Sequence, residues 1–226
     1  MYTFLGSACR RAAQGLFVAG LLFTVNTAGA SVVFQQGPVN GGVAYYSNIN
    51  QPQQLSDDFS LGGAASLTRI SWWGVYDGNN QGSDEFLLRL HGALGTGVNP
   101  LYEFSFTSFT RTSTALNDTG GNSAYKYELI LPAPLSLAAG TYYLSIQNQG
   151  DSDWAWLESE PGTGNAWFRA EDSDQWSQFV GNLAFRVEDS GNSGTVDEPG
   201  TLALLGLGGL GMLLGARRRK QSITSE

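Results

Sequence analysis

The chain has 226 residues, with 12 Lys+Arg against 20 Asp+Glu and a formal net charge of -8. That acidic balance lacks the basic footprint of a nucleic-acid binder, and 42% hydrophobic with only 14% charged residues is too apolar for a disordered chain. One Cys and one His exclude an internal disulfide framework and any site that needs several imidazoles.

Residues 1–30 read as an address rather than as fold. Arg10 and Arg11 precede a mostly apolar run from Ala12 to Val25, followed by Thr27-Ala28-Gly29-Ala30. Small side chains at Ala28 and Ala30 suit a signal peptidase, so the segment is predicted to be a secretory signal peptide with Ser31 as the mature start. The competing reading is a first transmembrane helix. The apolar run of about 14 residues falls short of the roughly 20 that a span needs. A lipid anchor is disfavoured because the sole Cys, Cys9, precedes the apolar run instead of following it.

Residues 31–188 are expected to form one domain, long enough to bury a core without staples. Residues 31–196 hold 17 acids and 6 bases, a net charge near -11. Apolar residues recur at period two: Phe86, Leu88 and Leu90; Tyr125, Tyr127, Leu129 and Leu131; Tyr142, Leu144 and Ile146. That alternation marks half-buried strands. Further strands are predicted at 32–36, 43–47, 54–60, 66–76, 101–109, 153–158, 165–170 and 182–188. Turn clusters such as Asn40-Gly41-Gly42, Asp77-Gly78-Asn79-Asn80 and Asp118-Thr119-Gly120-Gly121 separate them. The predicted fold is all-β, a two-sheet antiparallel sandwich that is jelly-roll-like, with a closed barrel as the alternative. Adjacent Trp72 and Trp73 must then point to opposite faces of a sheet.

Several chemistries compete for this domain. His91 is the only candidate for a catalytic base, and it lies in an alternating strand with no Gly-x-Ser-x-Gly elbow. Paired carboxylates can run glycoside hydrolysis, but the many acids single out no pair. Oxygen-rich loops suit calcium. Asp77, Asn79, Gln81, Asp84 and Glu85 half resemble an EF-hand loop, although Leu88 stands where the final Glu would be. Asp151-Ser152-Asp153 is a second acidic group. The remaining lead is aromatic: six Trp lie in the exported part. Trp154 and Trp156 share one strand face and are flanked by Asp153 and Glu158. They are the predicted sugar-stacking platform, the carboxylates accepting from sugar hydroxyls.

After a small polar linker at 189–195 comes the most specific signal. Val196-Asp197-Glu198-Pro199 leads into an apolar, Leu/Gly-rich stretch from Gly200 to Ala216, then Arg217-Arg218-Arg219-Lys220 and a short polar tail at 221–226. About 17 residues of helix span roughly 26 Å, close to a hydrocarbon core of about 30 Å, and the cations would hold the tail on the cytoplasmic side. This tripartite end at 196–220 resembles the PEP-CTERM sorting signal of exosortase substrates. Glu198 and Pro199 match the family motif, while Asp197 stands where the family more often has the first Pro. An ordinary C-terminal membrane anchor is the alternative.

The resemblance implies a transmembrane sorting helix, cleavage by an exosortase near Glu198-Pro199, and an inner-membrane intermediate. It also implies a final place at the outer surface or in the extracellular matrix of a Gram-negative bacterium, with association to exopolysaccharide. A looser likeness joins Asp57-Asp58-Phe59, Ile70-Ser71-Trp72-Trp73-Gly74-Val75-Tyr76, Ala139-Gly140-Thr141-Tyr142-Tyr143-Leu144-Ser145-Ile146, Trp154-Ala155-Trp156 and Leu183-Ala184-Phe185-Arg186-Val187. These resemble uncharacterised secreted bacterial β-sandwich domains and imply no activity. The expectation is therefore an exported, non-catalytic surface protein whose partners are signal peptidase, exosortase, the membrane in transit, and extracellular polysaccharide. No nucleic acid is expected. No resident cofactor is expected unless calcium binds. A calcium-dependent carbohydrate-binding module is the alternative, and a secreted carboxylate glycoside hydrolase a third reading.

Overall fold

A computed structural model describes residues 30–160 and 164–191. The alternating sequence becomes thirteen strands: β1 (Ser31–Gln36), β2 (Ala44–Tyr46), β3 (Gln54–Leu61), β4 (Ala65–Tyr76), β5 (Phe86–His91), β6 (Tyr102–Phe106), β7 (Thr110–Asn117), β8 (Ser123–Leu137), β9 (Gly140–Asn148), β10 (Trp154–Leu157), β11 (Asn165–Arg169), β12 (Ser177–Val180) and β13 (Phe185–Asp189). All pairings between them are antiparallel. The first sheet runs β1-β13-β4-β10-β2, with β8 on the opposite side of β4 and β7 beyond β8. The second runs β12-β11-β3-β9-β5-β6. The fold is an all-β two-sheet sandwich, as the alternation predicts.

The inward faces meet in one apolar core. Trp72 stacks on Tyr127 with ring centroids 5.4 Å apart, and Phe86 meets Trp72 edge-on at 5.2 Å. From Phe86 a chain of ring contacts continues through Trp154, Trp156 and Phe185 to Phe34. Each such ring removes a large apolar area from water and adds a preferred edge or stacking geometry, so this spine dominates cohesion between the sheets. Trp73, next to Trp72, turns to the outer face, where Lys126 sits over its ring at 5.9 Å.

Two local devices keep β4 in register. Leu67 and Ile70 both face the core although they are three positions apart, because the pairing with β8 shifts between Leu67 and Arg69. The bulge absorbs the extra residue and restores the alternation. Further along, Gly74 lies directly beneath the Trp154 ring, where a Cβ would overlap it. Glycine here makes room for the indole.

The first and last strands are neighbours. Ser31 stands opposite Asp189 in the β1–β13 pairing. Among the described residues no helix is long and apolar enough to cross a membrane. The predicted sorting helix, like the predicted signal peptide, lies outside the described residues.

Candidate functional site

Trp154 and Trp156 are 0% exposed and lie within the spine between the sheets. Their shared face is the inner one, so the sugar platform expected at this pair is corrected: neither ring reaches solvent. The Trp156 indole N–H instead donates to the Ala184 carbonyl at 2.9 Å. The flanking residues also hold neighbouring backbone, Asp153 through its main chain and Glu158 through its carboxylate. Asp153 holds the Asp77 N–H through its carbonyl, and the Glu158 carboxylate accepts from the Val43 N–H at 3.0 Å.

The oxygen-rich loop after β4 does not gather its side chains around one point. Asp77 accepts from the Tyr46 hydroxyl at 2.8 Å, a bond that pushes the Tyr46 phenol up to about 12. Asn79 caps the Ser123 N–H at 2.8 Å, and Gln81 bonds the Tyr125 hydroxyl. Asp84 accepts from Tyr76, Arg111 and Asn148. Asp77 lines a small cavity with Tyr46 and Asp118, whereas Asp84 and Glu85 line a separate cleft. No group of three or more His, Cys, Asp or Glu among the described residues is placed to hold a metal ion.

The same cleft does join the two acidic loops. It encloses about 350 Å³ between Asp84, Glu85, Ser83, Gln149 and Asp151. The Ser83 N–H and hydroxyl both donate to Asp151 Oδ1, at 2.5 and 2.7 Å. Those bonds, the hydroxyl first, hold the Asp151 carboxyl below its usual range. The sorting residues Val196, Asp197, Glu198, Pro199, Arg217, Arg218 and Arg219 lie outside the described residues.

The richest surface is the outer face of the second sheet. Strand register arranges it in rows across the sheet. One row reads Val180, Asn165, Asp58, Tyr143, His91. The next reads Gln178, Trp167, Ser56, Ser145, Arg89, Glu103. A third holds Arg169, Gln54 and Gln147. Period-two alternation puts these side chains outward because Leu55, Phe59, Leu88, Leu90, Leu144 and Ile146 take the inner positions.

One end of this face is sealed by its own chain. The segment between β11 and β12 folds back over it. Arg89 grips the Asp172 carboxylate with two N–H groups, at 2.9 and 3.0 Å, and Arg169 adds a third at 2.6 Å. Gln54 is the hub. Its carbonyl oxygen accepts from both Arg89 and Arg169 at 3.0 Å, and its amide donates to Asp172 at 2.8 Å. Partial burial of Asp172 works against ionisation, but Gln54 and the two guanidinium groups overcome it and hold its carboxyl below the ordinary range. The same segment carries Trp176, whose ring lies under the Arg169 guanidinium at 4.5 Å and meets His91 nearly edge-on. His91 is 1% exposed, and neither ring nitrogen has a hydrogen-bond partner. Burial, then Arg169 and Arg89, pushes its pKa down to about 4, so the imidazole is neutral.

The other end stays open. Trp167 and Tyr143 are half-buried, with ring centroids 5.1 Å apart and planes at 87°. They form an aromatic corner beside Asp58, Asn165 and Gln178. Sequence reasoning counted Trp167 among the exported Trp but chose another pair. The available signal was the parity of Asn165, Trp167 and Arg169, which sets an indole between polar neighbours on one face.

No family model matches the chain, and no curated protein matches it.

Proposed function

We propose that the chain is an exported bacterial protein sorted by an exosortase, with a non-catalytic, jelly-roll-like sandwich that associates with exopolysaccharide. Signal peptidase removes residues 1–30. The Leu/Gly-rich helix within 196–220 holds an inner-membrane intermediate until the exosortase cuts near Glu198-Pro199. The domain then stays at the outer surface or in the extracellular matrix of a Gram-negative cell.

The order of motif, apolar stretch and Arg217-Arg218-Arg219-Lys220 carries this reading. The adjacency of Ser31 and Asp189 is consistent with it, because the two ends of the domain meet at one edge of the sheet. His91, the chain's single imidazole, is enclosed, which speaks against its use as a catalytic base. Replacing Glu198 and Pro199 by Ala tests the sorting step. The variant should accumulate in the inner-membrane fraction, and normal appearance at the surface would count against exosortase sorting. A second reading, a carbohydrate-binding module, is favoured by the Trp167–Tyr143 corner. This second reading does not require calcium, which rests on the loop composition alone.

A further inference from the structure

We propose that the outer face of the second sheet binds an uncharged glycan, with a sugar ring seated in the corner between Trp167 and Tyr143. This rests on the reading that the domain associates with exopolysaccharide, and it names the site and the ligand class.

The face divides into two halves of opposite character. At the sealed end every guanidinium and carboxylate is spent on another: Arg89 and Arg169 on Asp172, Arg89 also on Glu103, and Gln54 on all three of the others. At the open end the polar groups are not spent. Among the described residues, no hydrogen bond reaches the Tyr143 hydroxyl or the Asn165 and Gln178 side chains, and the Asp58 carboxylate is met by its own backbone N–H alone. These groups lie one strand apart, around two rings set at 87°. Flat apolar surface beside convergent acceptors and amide donors is the chemistry that fixes a small polar ligand. A pyranose offers a C–H face to an indole and hydroxyls to carboxylate and amide groups.

His91 neighbours Tyr143 across the sheet, but it is almost wholly enclosed against Trp176, with neither nitrogen bonded. It belongs to the sealed half and marks the border of the open one.

Charge decides between glycans. The exported part carries a net charge near -11, Asp58 lies at the centre of the corner, and both nearby arginines are already neutralised. A uronate polymer would meet like charge at every approach. An uncharged chain would not.

Native gel electrophoresis tests this with the full chain in a detergent that has no sugar headgroup. Gels contain dextran, galactomannan or alginate. Dextran or galactomannan should retard the chain, and alginate should not. Trp167→Ala should weaken the retardation at least ten-fold, while Trp73→Ala, on the outer face of the other sheet, leaves it unchanged. Melting temperature accompanies each variant. Should Trp167→Ala fail to fold, Gln178→Ala, at an exposed position beside it, serves in its place and should weaken binding several-fold. No retardation by either neutral polymer, stronger retardation by alginate, or binding that survives the substitutions would overturn the proposal. Processing is read separately by mass. A processed chain silent in these gels sinks the glycan site alone, and an unprocessed chain that binds sinks the sorting reading alone.

Discussion

The Ser31 hydroxyl donates to Asp189 Oδ1 at 2.8 Å, although the two lie 158 positions apart in the chain. The bond closes the pairing of the first strand with the last, so the sandwich begins and ends at one edge. Asp189 also accepts from the Gly191 N–H at 2.8 Å, which fixes where the chain leaves the sheet. Asp189→Ala removes both bonds and should lower stability by about 1 kcal/mol. For a domain of this size that is a fall of roughly 2–4 °C in melting temperature. Ser31→Ala should lose less, and the two losses should not add, because the variants share one bond. Fully additive melts would contradict the coupling.

Gly74 and Trp154 make a steric prediction. A methyl at position 74 overlaps the indole. Overpacking a dense core typically costs about 1–3 kcal/mol, so Gly74→Ala should melt several degrees lower. Trp154→Phe in the same chain should recover part of that loss by clearing the space. A Gly74→Ala variant as stable as the parent would show that the indole is not where it is placed.

Stability should depend on pH through two enclosed groups of opposite sign. Asp57 is 0% exposed, and burial lifts its carboxyl to about 8 against hydrogen bonds from Leu183, Asp58 and Gln36. An acid whose pKa is raised on folding holds its proton more tightly in the folded state. Stability therefore falls as pH climbs from about 3.8 towards about 8. His91 is lowered to about 4 from 6.5, so its contribution rises with pH across that window. The two oppose each other below 6.5, and Asp57 dominates above. Thermal melts should therefore fall between pH 6.5 and 8, by at most about 1.4 kcal/mol per unit. Asp57→Asn should flatten that slope. A slope that persists in the variant would contradict the assignment.

Much of this fold was legible in the sequence, and the reason is local. Where one face of a strand is buried and the other wet, the alternation is written residue by residue, as in Phe86-Leu87-Leu88-Arg89-Leu90-His91. It even separated Trp72 from Trp73. β7 escaped because Thr110–Asn117 is a largely exposed edge strand, and Thr/Arg/Ser at successive positions carry no apolar stripe. The short β12 is likewise mostly exposed. The site was harder to read. Period two says that Trp154 and Trp156 share a face, but not which face is covered. The answer depends on the partner sheet, through contacts such as Phe86 on Trp154 that link distant residues. The clamp of Gln54, Arg89, Arg169 and Asp172 gathers three segments far apart in the chain, and no spacing announces it.

Calcium should leave the melt unchanged. Both Asp84 oxygens already accept from protein donors, with Arg111 supplying the neutralising charge. A cation entering there would have to displace a guanidinium. Melting with millimolar calcium and with a chelator should agree to within about a degree on the scale that links stability to melting temperature. A rise of several degrees with calcium would restore the Asp77–Glu85 loop as a binding site.

The intact mass of the chain recovered from the surface of exosortase-bearing cells tests the central claim most directly. The account predicts a chain that begins at Ser31 and ends close to Glu198-Pro199, and a longer chain retaining the C-terminal segment in cells that lack the exosortase. A surface-exposed chain that still carries residues 200–226 in the presence of the enzyme would contradict it.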